Sequence, residues 1–172
     1  MKTYTRIKSV KLNLFRLIVI IVLFLNITPI LLSQDSDIEV INEFMNNWHL
    51  AATQADGKSF FESMDKDAIY IGTDATERWT KKEFEDFAMP YFNKGKAWDF
   101  KTIERKVYFS DDKKYAWFNE TLNTWMGVCR SSGVLKKHDN NWKIMHYHLS
   151  VTVPNNKVKD FIELINLKEK NK

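Results

Sequence analysis

The order of patterns along this chain predicts an α+β fold, with helices first and a mostly antiparallel, strongly curved sheet after them. Three observations carry the prediction. Apolar residues recur at helical spacing in three segments between residues 36 and 95. From Trp98 to Val153 the pattern changes to four runs of alternating character, each long enough for a strand. Good hairpin turns, Asp111-Asp112-Lys113-Lys114 and Asp139-Asn140-Asn141, separate two pairs of those runs. A sheet with helices packed on one face bends around them and leaves room for a cavity.

The opening segment is of another kind. Lys2, Arg6, Lys8, Lys11 and Arg16 precede an apolar run, Leu17 to Leu32, broken by Asn26, Thr28 and Pro29, and then Ser33-Gln34-Asp35. Basic, then apolar, then small is the layout of a secretory signal peptide. The run is short for a membrane span of about 20 residues. The expectation is cleavage near Ser33 and an exported protein, periplasmic or secreted. The alternative is an uncleaved N-terminal membrane anchor. The organisation is therefore read as 1–33 signal peptide or anchor, 34–156 folded domain, and 157–172 polar amphipathic tail.

Removing the signal changes the charge. The whole chain has 26 basic and 22 acidic residues, a net +4. Without the five early cations, 21 basic residues face 22 acidic ones. No basic patch is left to argue for nucleic acid, and no membrane contact is expected after cleavage. The single cysteine, Cys129, excludes a disulfide within the chain. Stability has to come from a core rich in aromatic residues, for which the chain supplies six Trp, six Tyr and twelve Phe.

The elements follow in order. Ser36-Asp37-Ile38-Glu39 has the form of a capping box, and Ile41, Phe44, Met45, Trp48 and Ala52 continue it as one helical face. Asp56-Gly57 is expected to end that helix. Phe60, Phe61 and Met64 mark the buried side of a short second helix, and Ala68 to Gly72 a short strand. Thr73 to Trp79 reads as a polar loop. Thr80-Lys81-Lys82-Glu83 is a second capping box, opening a helix with Phe84, Phe87, Ala88, Tyr91 and Phe92 on one face, Pro90 inside and Gly95 as a stop. Strands are expected over 98–110, 115–126, 130–137 and 142–153. In the tail, Val158, Phe161, Ile162 and Ile165 form a turn or two of amphipathic helix.

Candidate functional groups come from the strands. Alternation puts Trp142, Ile144, His146, His148 and Ser150 on one face of the last strand, and Phe118, Glu120 and Leu122 on one face of an earlier one. Arg130 opens the strand between them. A pocket holding Glu120, Arg130, His146 and His148 would pair a carboxylate with imidazole, each able to tune the other for acid–base work. The same groups can instead satisfy one another without chemistry. His146-x-His148 with Glu120 or His49 is the one arrangement that suggests a metal, but two histidines are too weak a signal, and neither metal nor cofactor is expected. Asp74 and Glu77 lie in the loop before the third helix, and Trp79 and Trp98 flank that helix, where they reach a pocket mouth. The wider aromatic set of Trp48, Tyr70, Phe87 and Trp117 reads mostly as ordinary core.

The segments Gly72-Thr73-Asp74-Ala75-Thr76-Glu77-Arg78-Trp79, Ala116-Trp117-Phe118-Asn119-Glu120, Arg130-Ser131-Ser132-Gly133-Val134-Leu135 and Trp142-Lys143-Ile144-Met145-His146-Tyr147-His148-Leu149-Ser150, in this order and spacing, resemble the nuclear transport factor 2-like superfamily in its SnoaL-like branch. The resemblance covers roughly residues 36–156. It implies a cone-shaped α+β fold, a pocket between sheet and helices, and frequent homodimerisation through the outer sheet face. The Asp–Tyr arrangement of ketosteroid isomerase relatives has no residue-by-residue match here, nor has the His/Asp/Tyr set of scytalone dehydratase relatives. By position, the resemblance places Glu120, Arg130, His146 and His148 in pocket-lining segments. With Asp74, Glu77, Trp79 and Trp98 they form the expected ligand-binding set, and His146, His148, Glu120 and Arg130 are the catalytic candidates. Because one fold hosts many chemistries, three functions stay open: a binding domain for a small apolar or aromatic ligand, an enzyme of isomerase, dehydratase or cyclase type, and a dimeric assembly module.

Overall fold

In the structure, a computed structural model, residues 37–139 and 141–169 are described, with side chains to residue 166 in the last helix. The chain divides into two compact units, Met1–Val40 and Ile41–Lys172. Of the first, only 37–40, a helical turn, is described. The basic and apolar opening and the Ser36 cap lie outside the described residues.

Helix α1 covers residues 37–53, followed by α2 (Gly57–Glu62), β1 (Met64–Ile71), β2 (Arg78–Thr80) and α3 (Lys81–Asn93). Then come β3 (Lys101–Phe109), β4 (Tyr115–Thr124), β5 (Gly127–His138), β6 (Asn141–Val151), a 3-10 turn (Asn155–Lys157) and α4 (Val158–Glu169). The strands make one curled, open sheet in the order β2-β1-β6-β5-β4-β3. Every neighbouring pair is antiparallel except β1 with β6, which is parallel. The sheet is therefore mixed, and helices precede most of it as the pattern predicts.

Local chemistry sets the element ends. Helix α1 stops before Gly57: Ala55 takes the left-handed turn at φ 56°, and Asp56 caps α2 by accepting from the Ser59 N–H at 3.0 Å. Gly57 is instead the buried first residue of α2, where an added Cβ would stand 3.0 Å from Met89 Sδ. The glycine that reads as a helix stop thus serves a close approach to α3. Thr80 and Glu83 form the expected capping box of α3, with the Thr80 N–H donating to Glu83 Oε2 at 2.8 Å. Pro90 lies inside α3, which runs on to Asn93, and Gly95 at φ 72° follows the end. Strand β1 starts at Met64 rather than Ala68, β3 starts at Lys101 rather than Trp98, and the loop expected at Thr73–Trp79 contains the short strand β2.

The core lies between the helices and the inner sheet face. Ile41, Met45, Trp48 and Ala52 of α1 are buried, as are Phe60 and Phe61 of α2 and Phe84, Ala88 and Phe92 of α3. They meet Phe118 and Leu122 of β4, Cys129 and Leu135 of β5, and Tyr147 and Leu149 of β6. The Trp48 indole N–H donates to the Phe60 carbonyl at 3.1 Å, tying α1 to α2.

Strand β6 departs from simple alternation. Val134 pairs with His146, but the next residue, Leu135, pairs with Ile144, so Met145 is an extra residue in β6. Such a bulge moves every later side chain to the opposite face. Ile144 is buried, and after the bulge it is Tyr147 and Leu149 that point inward. The expectation that Ile144, His146, His148 and Ser150 share one face is thereby corrected.

Helix α4 packs on little. Phe161, Ile162, Leu164 and Ile165 are all exposed. Among the described residues, no helix is long and apolar enough to cross a membrane.

Candidate functional site

Glu120 sits at the middle of β4 with its side chain fully buried. Its carboxylate is enclosed by donors from four elements. Oε1 takes the His49 Nε2–H of α1 at 3.0 Å, the Ser131 hydroxyl of β5 at 2.8 Å and the Tyr147 hydroxyl of β6 at 3.3 Å. Oε2 takes Arg105 of β3 through Nε at 2.9 Å and Nη2 at 2.8 Å. The His49 tautomer follows from its partner, because an ionised carboxylate only accepts. Arg105 continues to the Asn42 carbonyl at 3.1 Å, Asn46 Oδ1 at 3.0 Å and Thr102 Oγ1 at 3.1 Å. Burial pushes the Glu120 carboxyl up, but the hydrogen bond and charge of His49, then Arg105 and Ser131, outweigh it and hold the group down at about 2. Tyr147 goes the other way: burial first, and then the Glu120 charge, push its phenol well above the usual range.

Beside this cluster, on the same inner face, opens a cavity of about 810 Å³. Its walls come from separate elements: Tyr70 of β1 and Gly72 just after it, Trp79 of β2, Phe84, Phe87 and Tyr91 of α3, and Leu149 of β6. The segment after α3 adds Trp98 and Phe100, and the β4–β5 turn adds Trp125 and Met126. The rings pack in order. Tyr70 stacks on Phe84 at 3.8 Å, and Phe84 lies near-parallel to Trp79 and Trp98, with centroids 5.6 and 5.8 Å away. At the mouth, Trp125 is 81% exposed on a two-residue turn that Thr124 braces, its hydroxyl accepting from the Met126 N–H at 3.0 Å. One layer of rings separates cavity and cluster: Tyr70 lines the cavity and stacks on Tyr147 at 5.4 Å.

The remaining expected residues lie elsewhere. Directly paired residues share a face, so register gives three rows across the outer side of the sheet. One runs Thr80, Ile69, His146, Val134, Trp117, Tyr108. The next runs Arg78, Ile71, His148, Ser132, Asn119, Lys106, and a third joins Ser150, Arg130, Thr121 and Glu104. Arg130, His146 and His148 therefore sit on the outer face and are not brought together with Glu120. Burial, then the charges of His148 and Arg78, lower the His146 pKa. Among the described residues no group of three or more His, Cys, Asp or Glu is placed to hold a metal.

This fold and this inner cavity have relatives. Residues 41–154 match the model of a family described as the SnoaL-like domain. The chain belongs to that family. As a SnoaL-like domain it is similar in fold to an NTF2-like protein from Cytophaga hutchinsonii, at 18% identity and TM-score 0.56, covering 66% of this chain and 97% of that one. A candidate ketosteroid isomerase from Parabacteroides distasonis is 21% identical with TM-score 0.53, covering 67% and 88%. A candidate calcium/calmodulin-dependent protein kinase II association domain from Xanthomonas campestris is 19% identical with TM-score 0.51, covering 65% and 85%. At these identities the likeness is one of fold. No curated protein sequence matches this one.

Within the SnoaL-like domain, Glu77, Trp79 and Trp98 of the expected ligand-binding set line the cavity. Asp74 stays in the β1–β2 loop, where its Oδ1 accepts from the Thr76 N–H at 2.9 Å. Sequence reading missed Arg105, Ser131 and Tyr147 as partners of Glu120. Arg105 carries a usable signal, because it shares the inward alternation of β3 with Val107 and Phe109. Tyr147 carries none, since the bulge alone turns it inward.

Proposed function

We propose that this SnoaL-like domain binds a small aromatic or apolar molecule in the inner cavity. The observation that carries the reading is the cavity itself, large enough for a small-molecule ligand and walled by Tyr70, Trp79, Phe84 and Trp98 from separate elements. The state of Glu120 favours binding over catalysis by that residue. A carboxylate held at about 2, with both oxygens engaged, has little basicity left for proton abstraction. The basic and then apolar opening supports an exported protein.

A panel of bicyclic aromatic compounds titrated into the protein and followed by proton–nitrogen NMR tests this. Binding is expected to shift the indole N–H signals of Trp79 and Trp98, and Trp98→Ala to weaken it about tenfold or more by removing a stacking face. Saturable binding that leaves both signals unmoved would contradict the reading.

A second reading concerns the outer face. The row through Ile69, His146, Val134, Trp117 and Tyr108 has an apolar stretch at its β5–β3 end, Val134, Trp117 and Tyr108, with Trp117 and Tyr108 stacked and 45% and 44% exposed. We infer that a second copy of the chain covers this face in a homodimer. The row supports it because a symmetric pair would bury those rings against each other.

A further inference from the structure

We propose that the cavity selects ligands that carry a positively charged nitrogen on an aromatic or apolar body, with Glu77 as the counter-charge. The inference rests on the reading of the cavity as a ligand site and specifies which ligands it takes.

The first observation is Gly72. It follows Ile71, which faces out, so the missing side chain of Gly72 would point into the cavity. The Glu77 carboxylate occupies that place, and an added Cβ at Gly72 would collide with Glu77 Oε2. Any other residue at 72 would displace the acid, so the glycine is what lets a carboxylate lie on the wall beside Tyr70.

The second observation is that this carboxylate is only half satisfied. Oε2 accepts the Asp74 N–H at 3.1 Å, and no described residue donates to Oε1. Its charge reaches into the wall: burial first, and then Glu77, raise the Tyr70 phenol.

The third is the balance of charge around the cavity. Its other charged groups are Asp99, Lys101 and Lys96. Lys101 answers Asp99 at 3.7 Å, and Lys96 is solvent-exposed, where water and salt screen it. Arg78, next to Glu77 in sequence, belongs to the outer face. Among the described residues, Glu77 is thus the half-buried charge of the cavity without a cationic partner, and it lines the cavity together with Tyr70, Trp79 and Phe84. An ammonium group there gains a charge-assisted hydrogen bond and the attraction of ring faces, and a neutral group of the same size gains neither in full.

Calorimetric titration of the full chain at pH 7 with tryptamine and with tryptophol, which share a body and differ in amine against hydroxyl, tests it. The amine is expected to bind about tenfold more tightly than the alcohol, and Glu77→Gln to remove that gap by weakening the amine more than the alcohol. The amide keeps an oxygen for the Asp74 N–H, so the loop is retained. Equal affinities in the unmutated protein, or a gap that survives Glu77→Gln, would overturn the inference and leave the ligand site standing. Absence of binding by both compounds up to millimolar concentration would overturn the ligand site and the inference together.

Discussion

Glu120 is a charge in the centre of a hydrophobic core, and its five hydrogen-bonding contacts decide what it costs to keep there. Breaking a buried pair leaves the other charge uncompensated. Glu120→Gln is expected to destabilise the fold by roughly 3–5 kcal/mol, measured by urea denaturation, because Arg105 would remain buried without a counter-ion. The same group sets an acid limit. Its folded pKa of about 2 lies below the ordinary 4.5, so its contribution is complete above pH 4.5 and lost as pH falls toward 2. The loss is on the order of 3 kcal/mol, visible as a melting temperature that drops over that window and drops less in Glu120→Gln. At this scale the sequence was partly readable. Alternation placed Glu120 inward beside Phe118 and Leu122, and its burial without solvent required a partner. Which partners they are depends on register between four elements, and local pattern does not contain that.

Elements were legible where their end signals are local. The Thr80–Glu83 box and the stop at Gly95 stand as expected, since a cap needs only neighbouring residues. Thr80→Ala is expected to cost about 1 kcal/mol in thermal or chemical unfolding, through the lost cap of α3. The bulge at Met145 was not legible, because it answers the pairing of β6 with β5 rather than any property of Met145 itself. Its consequence is large: His146 and His148 move from a supposed pocket to the outer face. Close to the bulge, Gly133 has the Phe118 ring and the His146 carbonyl each 2.7 Å from where a Cβ would stand. Gly133→Ala is therefore expected to destabilise by roughly 1–3 kcal/mol, since a backbone oxygen cannot swing aside as a flexible side chain can.

For the whole molecule, order of elements and aromatic composition were enough to predict helices followed by a curved sheet with a cavity. The position of the cavity was half legible. Trp79 and Trp98 flank α3 in sequence and line the cavity, whereas Tyr70, Phe100 and Trp125 join them only because the sheet curls. The outer face makes a separate prediction. If two copies meet through the Tyr108–Trp117 row, Trp117→Arg should convert a dimer to a monomer in light scattering without changing the melting profile of the monomer. The claim that the inner cavity is a ligand site is tested most directly by native mass spectrometry of the purified protein, followed by denaturation and identification of whatever small molecule is released. A co-purifying aromatic compound, absent from protein carrying Trp98→Ala, is the predicted result. Protein that is empty on purification and stays empty after incubation with millimolar tryptamine and tryptophol would contradict it.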